Sequence, residues 1–189
     1  MSPASVQDLL SASPVIAAVR KQEELDAACR SNAEILFILH ATLSDVAALT
    51  AQAKKAGKCV FIHFDLVDGL CAGAAAVRFL AENTSADGLI STRSSIIRSA
   101  KEAGFVTVQR FFVVDSQAEE TVLRTVSAVQ PDFIELMPGL ISPVIARLTA
   151  QLSVPVIAGG LIETKESIVH LLSLGASGIS TGKEPLWNE

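Results

Sequence analysis

Eight short segments made almost entirely of apolar residues recur along the chain, and they constrain its fold more than any other feature. They are rich in β-branched and aliphatic residues, which is typical of strands buried on both faces of a parallel sheet. The predicted strands, in chain order, are Val15–Val19, Ile35–Leu39, Cys59–Phe64, Gly88–Ile90, Val106–Gln109, Phe133–Leu136, Pro155–Ala158 and Gly178–Ser180.

Segments with helical spacing separate these strands, and four of them have recognisable ends. A glycine follows the last helical residue in three cases and a proline follows it closely in the fourth, which are ordinary helix stops. These predicted helices are Leu43–Ala56, Ser94–Ala103, Ser116–Val129 and Thr164–Leu174. The alternation of strands and helices predicts a parallel sheet with helical crossovers.

The number of units predicts a compact barrel. Dividing 189 residues by eight units gives about 24 residues per unit, whereas a barrel of ~250 residues has about 31. We therefore predict an α/β fold, a (β/α)8 TIM-type barrel that forms a single domain over residues 1–189. Its loops are short, and its last helix has at most one turn, because only Lys183–Glu189 follow the eighth strand. An open doubly wound sheet is the alternative, although the order of the units shows no break.

The two ends of the chain lead to further expectations. A short helix at Ser5–Ser11 is expected beneath the barrel floor. A missing eighth helix leaves apolar surface uncovered, so we expect Trp187 to pack back on the barrel. We also expect a second subunit, in a homodimer, to cover part of the gap.

Composition limits the classes of partner. The net charge is −5 and the pI is near 5.2, whereas a domain that holds nucleic acid by bulk electrostatics is usually basic. No apolar run approaches the ~20 residues that cross a bilayer, so no membrane partner is expected. The chain has three cysteines, Cys29, Cys59 and Cys71, and their spacing is not that of a metal site. No secretory signal is visible. These features predict reduced thiols and a cytoplasmic location.

Two glycine-containing turns follow the last two predicted strands, at Gly159-Gly160 and at Thr181-Gly182-Lys183. A backbone without side chains can approach an anion closely and direct several N–H groups at it. The loops after strands seven and eight are also the usual phosphate site of a (β/α)8 barrel. We therefore predict a phosphoryl site here. Alternatively, the glycine pair only lets a strand turn tightly into a helix, and Lys183 is either a phosphate ligand or a solvated residue.

Ionisable and polar side chains stand at the ends of other predicted strands, where they would face the barrel mouth. In one interpretation the carboxylates accept hydrogen bonds from ligand hydroxyls while an arginine offsets phosphate charge. In the other, carboxylates and arginines form a buried ion network that only holds the barrel together. The residues concerned are His63, Asp65, Arg93, Arg110, Glu135 and Met137.

Motifs of common enzyme classes are missing from the sequence. It has no Walker lysine loop, no G-x-S-x-G elbow, no catalytic Cys–His pattern and no lysine inside a strand. Its three histidines are scattered, so we expect no metal and no cofactor. The enzyme hypothesis that remains is a barrel that acts on a small phosphorylated substrate with Asp65 or Glu135 as general base. A third hypothesis is a sensor of phosphate esters that acts through a protein partner.

Long and unusual segments along the whole chain carry a family resemblance. They are Ile62–Leu70, Gly88–Ser94, Gln109–Phe112, Asp115-Ser116, Pro131–Gly139, Ala158–Gly160, Ser180-Thr181 and Leu186-Trp187. With these segments the chain resembles the glycerol uptake operon antiterminator family of bacterial regulators. The resemblance implies a compact barrel that binds glycerol 3-phosphate as its effector. When loaded, such a protein binds leader mRNA of glycerol-metabolism operons and prevents transcription termination.

The same resemblance assigns roles to particular residues. The phosphate would be held by Gly159, Gly160, Thr181 and Gly182, and the glycerol end would be lined by Asp65, Arg110 and Glu135. Relatives often carry serine or asparagine near Gly182, so a backbone contact would replace a side-chain contact here.

Two further expectations concern charged residues. Glu163 would repel a phosphate and is expected to point outward. The only dense basic cluster is Lys54, Lys55 and Lys58, and a solvated helix end is favoured there over an RNA contact.

Overall fold

The computed structural model describes residues 1–189, and eight parallel strands close into a barrel. Each barrel strand pairs with the next one along the chain, and the first strand pairs with the eighth. This closing pair confirms the TIM-type barrel and excludes the open doubly wound sheet. The barrel strands are β1 (Val15–Val19), β2 (Ile35–Ile38), β3 (Cys59–His63), β4 (Gly88–Ser91), β5 (Val106–Phe112), β6 (Phe133–Met137), β7 (Val156–Gly159) and β8 (Gly178–Thr181).

Eight α-helices accompany the strands, one before β1 and one in each of the seven crossovers. They are α1 (Pro3–Ala12), α2 (Gln22–Arg30), α3 (Val46–Lys55), α4 (Ala74–Asn83), α5 (Ser94–Glu102), α6 (Ser116–Val129), α7 (Ser142–Gln151) and α8 (Lys165–Ser173). After β8 only a short 3₁₀ helix follows, Glu184–Asn188, as the truncated last unit predicted. None of the helices combines the length and the apolar character that crossing a bilayer demands.

Local sequence explains how α8 begins and ends beside the predicted phosphate turn. Thr164 is its N-cap, and the Thr164 hydroxyl accepts a hydrogen bond from the Ser167 amide at 3.2 Å. The helix stops before Gly175, whose φ of +96° lies in the region that favours glycine. The N-cap therefore fixes where the loop from β7 ends, and the glycine fixes where the helix ends.

Two separate hydrophobic cores follow from the alternation of side chains along the strands. The larger core lies between the sheet and the surrounding helices and contains 37 buried residues, among them Ile62 and Leu136. The smaller core fills the barrel interior with 14 buried residues, among them Ile16 and Phe61. Because neighbours along a strand point to opposite faces, the residues that alternate with the outer core must point inward.

Helix α1 closes the floor of the barrel, as the predicted N-terminal helix suggested. Its residues Val6 and Leu10 belong to the interior core together with Ile16 of β1. Gly178 leaves room for this helix, because a Cβ at that position would stand 2.8 Å from the Leu10 side chain. The opposite end of the barrel, at the carboxyl ends of the strands, remains open to solvent.

Trp187 packs back on the barrel, which confirms that expectation. Its side chain is 1% exposed and belongs to the outer core. The segment is fastened to the chain beyond α2, since the Asn32 amide donates to the Asn188 side-chain oxygen at 3.0 Å. The homodimer stays a prediction.

Candidate functional site

A cavity of about 340 Å³ opens at the carboxyl ends of the strands, which is a size typical of small-ligand sites. Residues from both glycine turns contribute to its wall, together with the ends of β1, β2, β5 and β6. The lining residues are Ala18, Arg20, Leu39, Arg110, Glu135, Met137, Gly160, Leu161, Ile162, Glu163, Ser180, Thr181, Gly182 and Lys183.

The two glycine turns lie side by side. Gly159 and Ser180 are paired in the β7–β8 ladder, so both strands end at the same level of the barrel. Gly159 has no space for a side chain, because a Cβ there would stand 2.4 Å from Ser180 Oγ and 2.5 Å from Glu135 Oε1. Gly160 has a φ of +80°, and Leu161 follows with a φ of +60°, which is strained for leucine. The glycine pair is therefore required by packing and by backbone conformation.

The turns present unused backbone donors to the cavity. The N–H groups of Gly160 and Gly182 donate to no acceptor within the chain. By contrast, the Lys183 N–H donates to Thr181 Oγ1 at 3.1 Å. The buried Thr181 hydroxyl donates in turn to the Ile162 carbonyl at 2.9 Å. Thr181 thus ties the two turns together and leaves the two glycine amides free.

Charged side chains stand at the rim of the cavity. Lys183 Nζ lies 3.1 Å from Glu163 Oε1, and both side chains are more than half exposed. Glu163 therefore lines the cavity while its exposed carboxylate faces Lys183, so the expectation of an outward side chain holds only in part. An ion pair this exposed is weak and can exchange partners.

Arg20 is a cavity residue that the sequence analysis missed. It follows β1 directly, and its Nη1 lies 3.5 Å from the position that a Cβ on Gly182 would occupy. Its guanidinium makes no ion pair, in contrast to those of Arg93 and Arg110. The signal was present, because a cation that follows the first strand of a closed barrel must lie next to the eighth strand.

The floor of the cavity is a buried ion pair. Arg110 Nε donates to Glu135 Oε2 at 2.5 Å, and Ser180 Oγ donates to the other oxygen of Glu135. Glu135 is fully buried and Arg110 is 6% exposed. The terminal nitrogens of Arg110 donate to no group of the chain, and Arg110 lines the cavity. Glu135 and Met137 thus face the mouth as alternation along their strand predicted, and Arg110, predicted to lie at the end of strand five, lines the same cavity.

Asp65 and Arg93 lie outside the lining of this cavity. The prediction that alternation would carry Asp65 into the mouth is wrong, because β3 ends at His63 and a 3₁₀ turn, Phe64–Leu66, follows. The Asp65 carboxylate instead accepts hydrogen bonds from Ser91 Oγ at 2.9 Å and from the Thr92 amide at 2.7 Å. Arg93 Nε lies 3.6 Å from the same carboxylate. Together these groups stabilise the loop after β4.

His63 points into the barrel and is 3% exposed. Burial and, to a lesser extent, the positive charge of Arg110 together lower the pKa of His63 to about 4, against the opposing effect of Asp65. Its Nδ1 has no hydrogen-bond partner in the chain. The imidazole is therefore neutral and polar beneath the cavity, beside the buried guanidinium.

The basic cluster is largely committed to structural contacts. Buried Lys58 donates to the carbonyls of Ser31 and Ala33, at 2.7 and 2.8 Å. Lys54 pairs with Asp87 at 2.8 Å. Only Lys55 is a solvated residue without such a contact. The expected solvated helix end is therefore correct for Lys55 but not for Lys54 and Lys58. These contacts leave little free charge there for a nucleic acid.

Removing the Glu135 carboxylate should destabilise the protein strongly. Glu135→Leu leaves the Arg110 guanidinium buried without a counter-charge, which costs about 3–5 kcal/mol in the free energy of unfolding. The double variant Glu135→Leu/Arg110→Met removes both charges and should recover a large part of that loss. Urea unfolding of the wild type and of the two variants measures both quantities. A double variant as unstable as the single one would contradict a dominant role for the ion pair.

Stability should fall in acid because of His63. The unfolded chain binds a proton near pH 6.5 whereas the folded chain does so only near pH 4, so stability drops as the pH falls between these values. The expected loss is about 3 kcal/mol, from roughly 2.5 pKa units at 1.36 kcal/mol each. Denaturant unfolding across this window should show a flatter profile for His63→Gln, while His40→Gln, at an exposed histidine, should follow the wild type.

Comparison with known proteins identifies the family. The chain matches the family described as glycerol-3-phosphate responsive antiterminator over residues 15–187. It is 34% identical over 179 residues to a protein of Escherichia coli (strain K12) named uncharacterized protein YgcP, covering 95% of this chain and 94% of that protein.

Two solved structures are similar along nearly the whole chain. The glycerol uptake operon antiterminator regulatory protein from Listeria monocytogenes str. 4b F2365 has 35% identity and a TM-score of 0.89, covering 93% of this chain and 95% of that one. The glycerol uptake operon antiterminator-related protein from Thermotoga maritima MSB8 has 31% identity and a TM-score of 0.82, with coverages of 92% and 96%. The chain therefore belongs to the glycerol-3-phosphate responsive antiterminator family.

Proposed function

We propose that this protein is a transcription antiterminator that responds to glycerol 3-phosphate. With the ligand bound, it binds the leader mRNA of glycerol-metabolism operons and prevents transcription termination. The observation that carries the proposal is the pair of free amides, at Gly160 and Gly182, on adjacent turns of one cavity. Membership in the family supports the choice of ligand. A cytoplasmic location belongs to the same proposal.

The phosphate end of the ligand would lie between the two turns. The Gly160 and Gly182 amides offer two hydrogen bonds, and the unpaired Arg20 guanidinium beside Gly182 offers charge. Lys183 would leave Glu163 for the phosphate, because a dianion attracts an ammonium group more strongly than a solvated carboxylate does. Gly159 and Thr181 support these groups from below, through close packing and through the Thr181 hydroxyl.

The glycerol end of the ligand would lie on the Arg110–Glu135 floor. The two free terminal nitrogens of Arg110 can donate to hydroxyl oxygens. Each Glu135 oxygen accepts one hydrogen bond from the chain and has a second lone pair for a ligand hydroxyl. Because the two charges neutralise each other, a neutral polyol is favoured here over a second anionic group. Asp65, His63 and Arg93 do not line the cavity and are left out of this proposal.

The response to the ligand would need two states of the protein with unequal ligand affinity. The Lys183–Glu163 pair and the strained Leu161 lie on the rim, where binding would alter them. The enzyme alternative receives less support, because the carboxylate at the floor, Glu135, is committed to Arg110 and Ser180.

Binding of glycerol 3-phosphate should depend on Arg20. Arg20→Met removes the unpaired guanidinium and should weaken binding about tenfold or more, as loss of a charge-assisted hydrogen bond does. Arg93→Met is the matched control, since Arg93 pairs with Asp65 away from the cavity, and its affinity should equal that of the wild type. Isothermal titration calorimetry measures all three, with free glycerol as a ligand without phosphate. Equal affinity for glycerol and glycerol 3-phosphate would rule out the phosphate site.

Leader RNA binding should depend on the ligand. Saturation with glycerol 3-phosphate should raise retention of a glycerol-operon leader RNA on the protein about tenfold, a typical coupling between two sites. A filter-binding assay with and without ligand measures this. Arg20→Met should bind RNA as the ligand-free wild type does, and should respond only at higher ligand concentration. Equal RNA retention with and without ligand would end the proposal of a switch.

A further inference from the structure

One peptide group joins the buried Trp187 to the phosphate end of the cavity. The carbonyl of Thr181 accepts a hydrogen bond from Trp187 Nε1 at 2.8 Å. The N–H of the same peptide group belongs to Gly182, which donates to nothing in the chain and lines the cavity. This peptide bond is trans, so its C=O and N–H point in opposite directions. Fixing the oxygen on the buried side therefore directs the N–H toward the open side.

We propose that Trp187 is a positioning residue for anion binding. It acts through the Thr181–Gly182 peptide group, which it holds with the Gly182 N–H directed at the phosphate. The inference rests on the proposed phosphate site and adds a residue to it that does not line the cavity.

The anchor on the buried side is rigid. Trp187 is 1% exposed and belongs to the outer hydrophobic core. Trp187 lies in the 3₁₀ helix Glu184–Asn188, which has a proline in its first turn. Two hydrogen bonds between Asn188 and Asn32, at 3.0 and 3.4 Å, hold this helix in place. An indole held in this way can fix a carbonyl group at a defined position.

Such an anchor matters at this peptide group because glycine has the widest backbone freedom of any residue. A Cβ on Gly182 would meet its nearest neighbours, Ala18 O and Arg20 Nη1, at 3.5 Å, so this residue is not tightly enclosed. Restraint comes instead from the preceding residue. Thr181 is paired with Ala17 in the β1–β8 ladder, and its carbonyl accepts the additional hydrogen bond from Trp187. Its hydroxyl donates to the Ile162 carbonyl and accepts from the Lys183 amide.

The hydrogen bond to the carbonyl also makes the amide a better donor. Chains of hydrogen bonds polarise one another, so an acceptor bond at the Thr181 oxygen strengthens a donor bond from the Gly182 nitrogen. The effect is reciprocal: an anion at the Gly182 N–H should strengthen the Trp187 bond. Trp187 is the single tryptophan of the chain, so its indole N–H resonance can be assigned without ambiguity.

Two substitutions of Trp187 test the inference. Trp187→Phe removes the donor and keeps a buried aromatic ring, and replacement by benzothienylalanine removes the donor while keeping the bicyclic shape. Both should weaken glycerol 3-phosphate binding about tenfold in calorimetry, as loss of one well-directed bond to a charged group does. Asn188→Ala is the matched control, because it loosens the same segment without touching Thr181, and its affinity should stay within about twofold of the wild type.

Amide and indole NMR spectra provide a readout that a purely structural role would not move. In the free protein, the benzothienyl variant should shift the Gly182 amide resonance while most other resonances stay in place. In the wild type, saturation with glycerol 3-phosphate should move the indole N–H resonance downfield. Absence of both shifts would overturn the inference.

The possible failures are distinguishable. A wild type that binds glycerol 3-phosphate, together with Trp187 variants of equal affinity, overturns the inference and leaves the proposed function intact. Equal weakening in Asn188→Ala overturns it in favour of general loosening of the segment. A wild type that binds no phosphate ester overturns the proposed function and the inference together.

Discussion

The buried carboxylate of Glu135 is the constraint on which the carboxyl end of the barrel depends. Glu135 lies in β6 and is fully buried. Its carboxylate binds Arg110 of β5 and Ser180 of β8. The space that it occupies excludes any side chain at residue 159 of β7. One ionised group thus couples four consecutive strands, and a buried charge is tolerated only where it has such partners. The glycine at position 159 is a consequence of this carboxylate.

Because packing explains Gly159, the glycine pair by itself indicates a ligand less strongly than its sequence suggested. Gly159 is explained by packing and Gly160 by its positive φ, so neither requires an anion to account for it. Gly182 is different, since it has ordinary space and no strained backbone. The features that favour a phosphate are therefore the free amides and the unpaired Arg20 guanidinium. The charges at the cavity favour an anion: three cations, Arg20, Arg110 and Lys183, face two carboxylates, Glu135 and Glu163, for a net +1 within a chain of net −5.

The sequence predicted the barrel well because buried parallel strands leave a strong apolar signal and helices end at recognisable residues. Alternation inside a regular strand also put Glu135 and Met137 at the mouth, whereas Arg110 was placed by its position after a predicted strand that in the structure continues to Phe112. It failed at Asp65, where a 3₁₀ turn interrupts the alternation just beyond the strand. It also missed Arg20, although closure of the predicted barrel already placed the end of the first strand beside the eighth. Lys58 was missed because its carbonyl partners lie more than twenty residues away.

The proposed regulator would have to transmit occupancy from its cavity to its surface, and hydrogen bonds in the last two units of this barrel offer a route for that signal. Thr181 links both turns through its hydroxyl, and its carbonyl links them to the segment that contains Trp187. On the other side, Lys183 would have to choose between Glu163 and a bound phosphate, and Glu163 is two residues from the exposed Leu161. Leu161 holds an unfavourable backbone conformation, and a change in its surroundings would release that strain. In the proposed regulator, a bound anion would strengthen the contacts on the buried side of the turns and compete with the Lys183–Glu163 pair on the exposed side, and a switch would follow if one state of the protein binds the anion more tightly than the other.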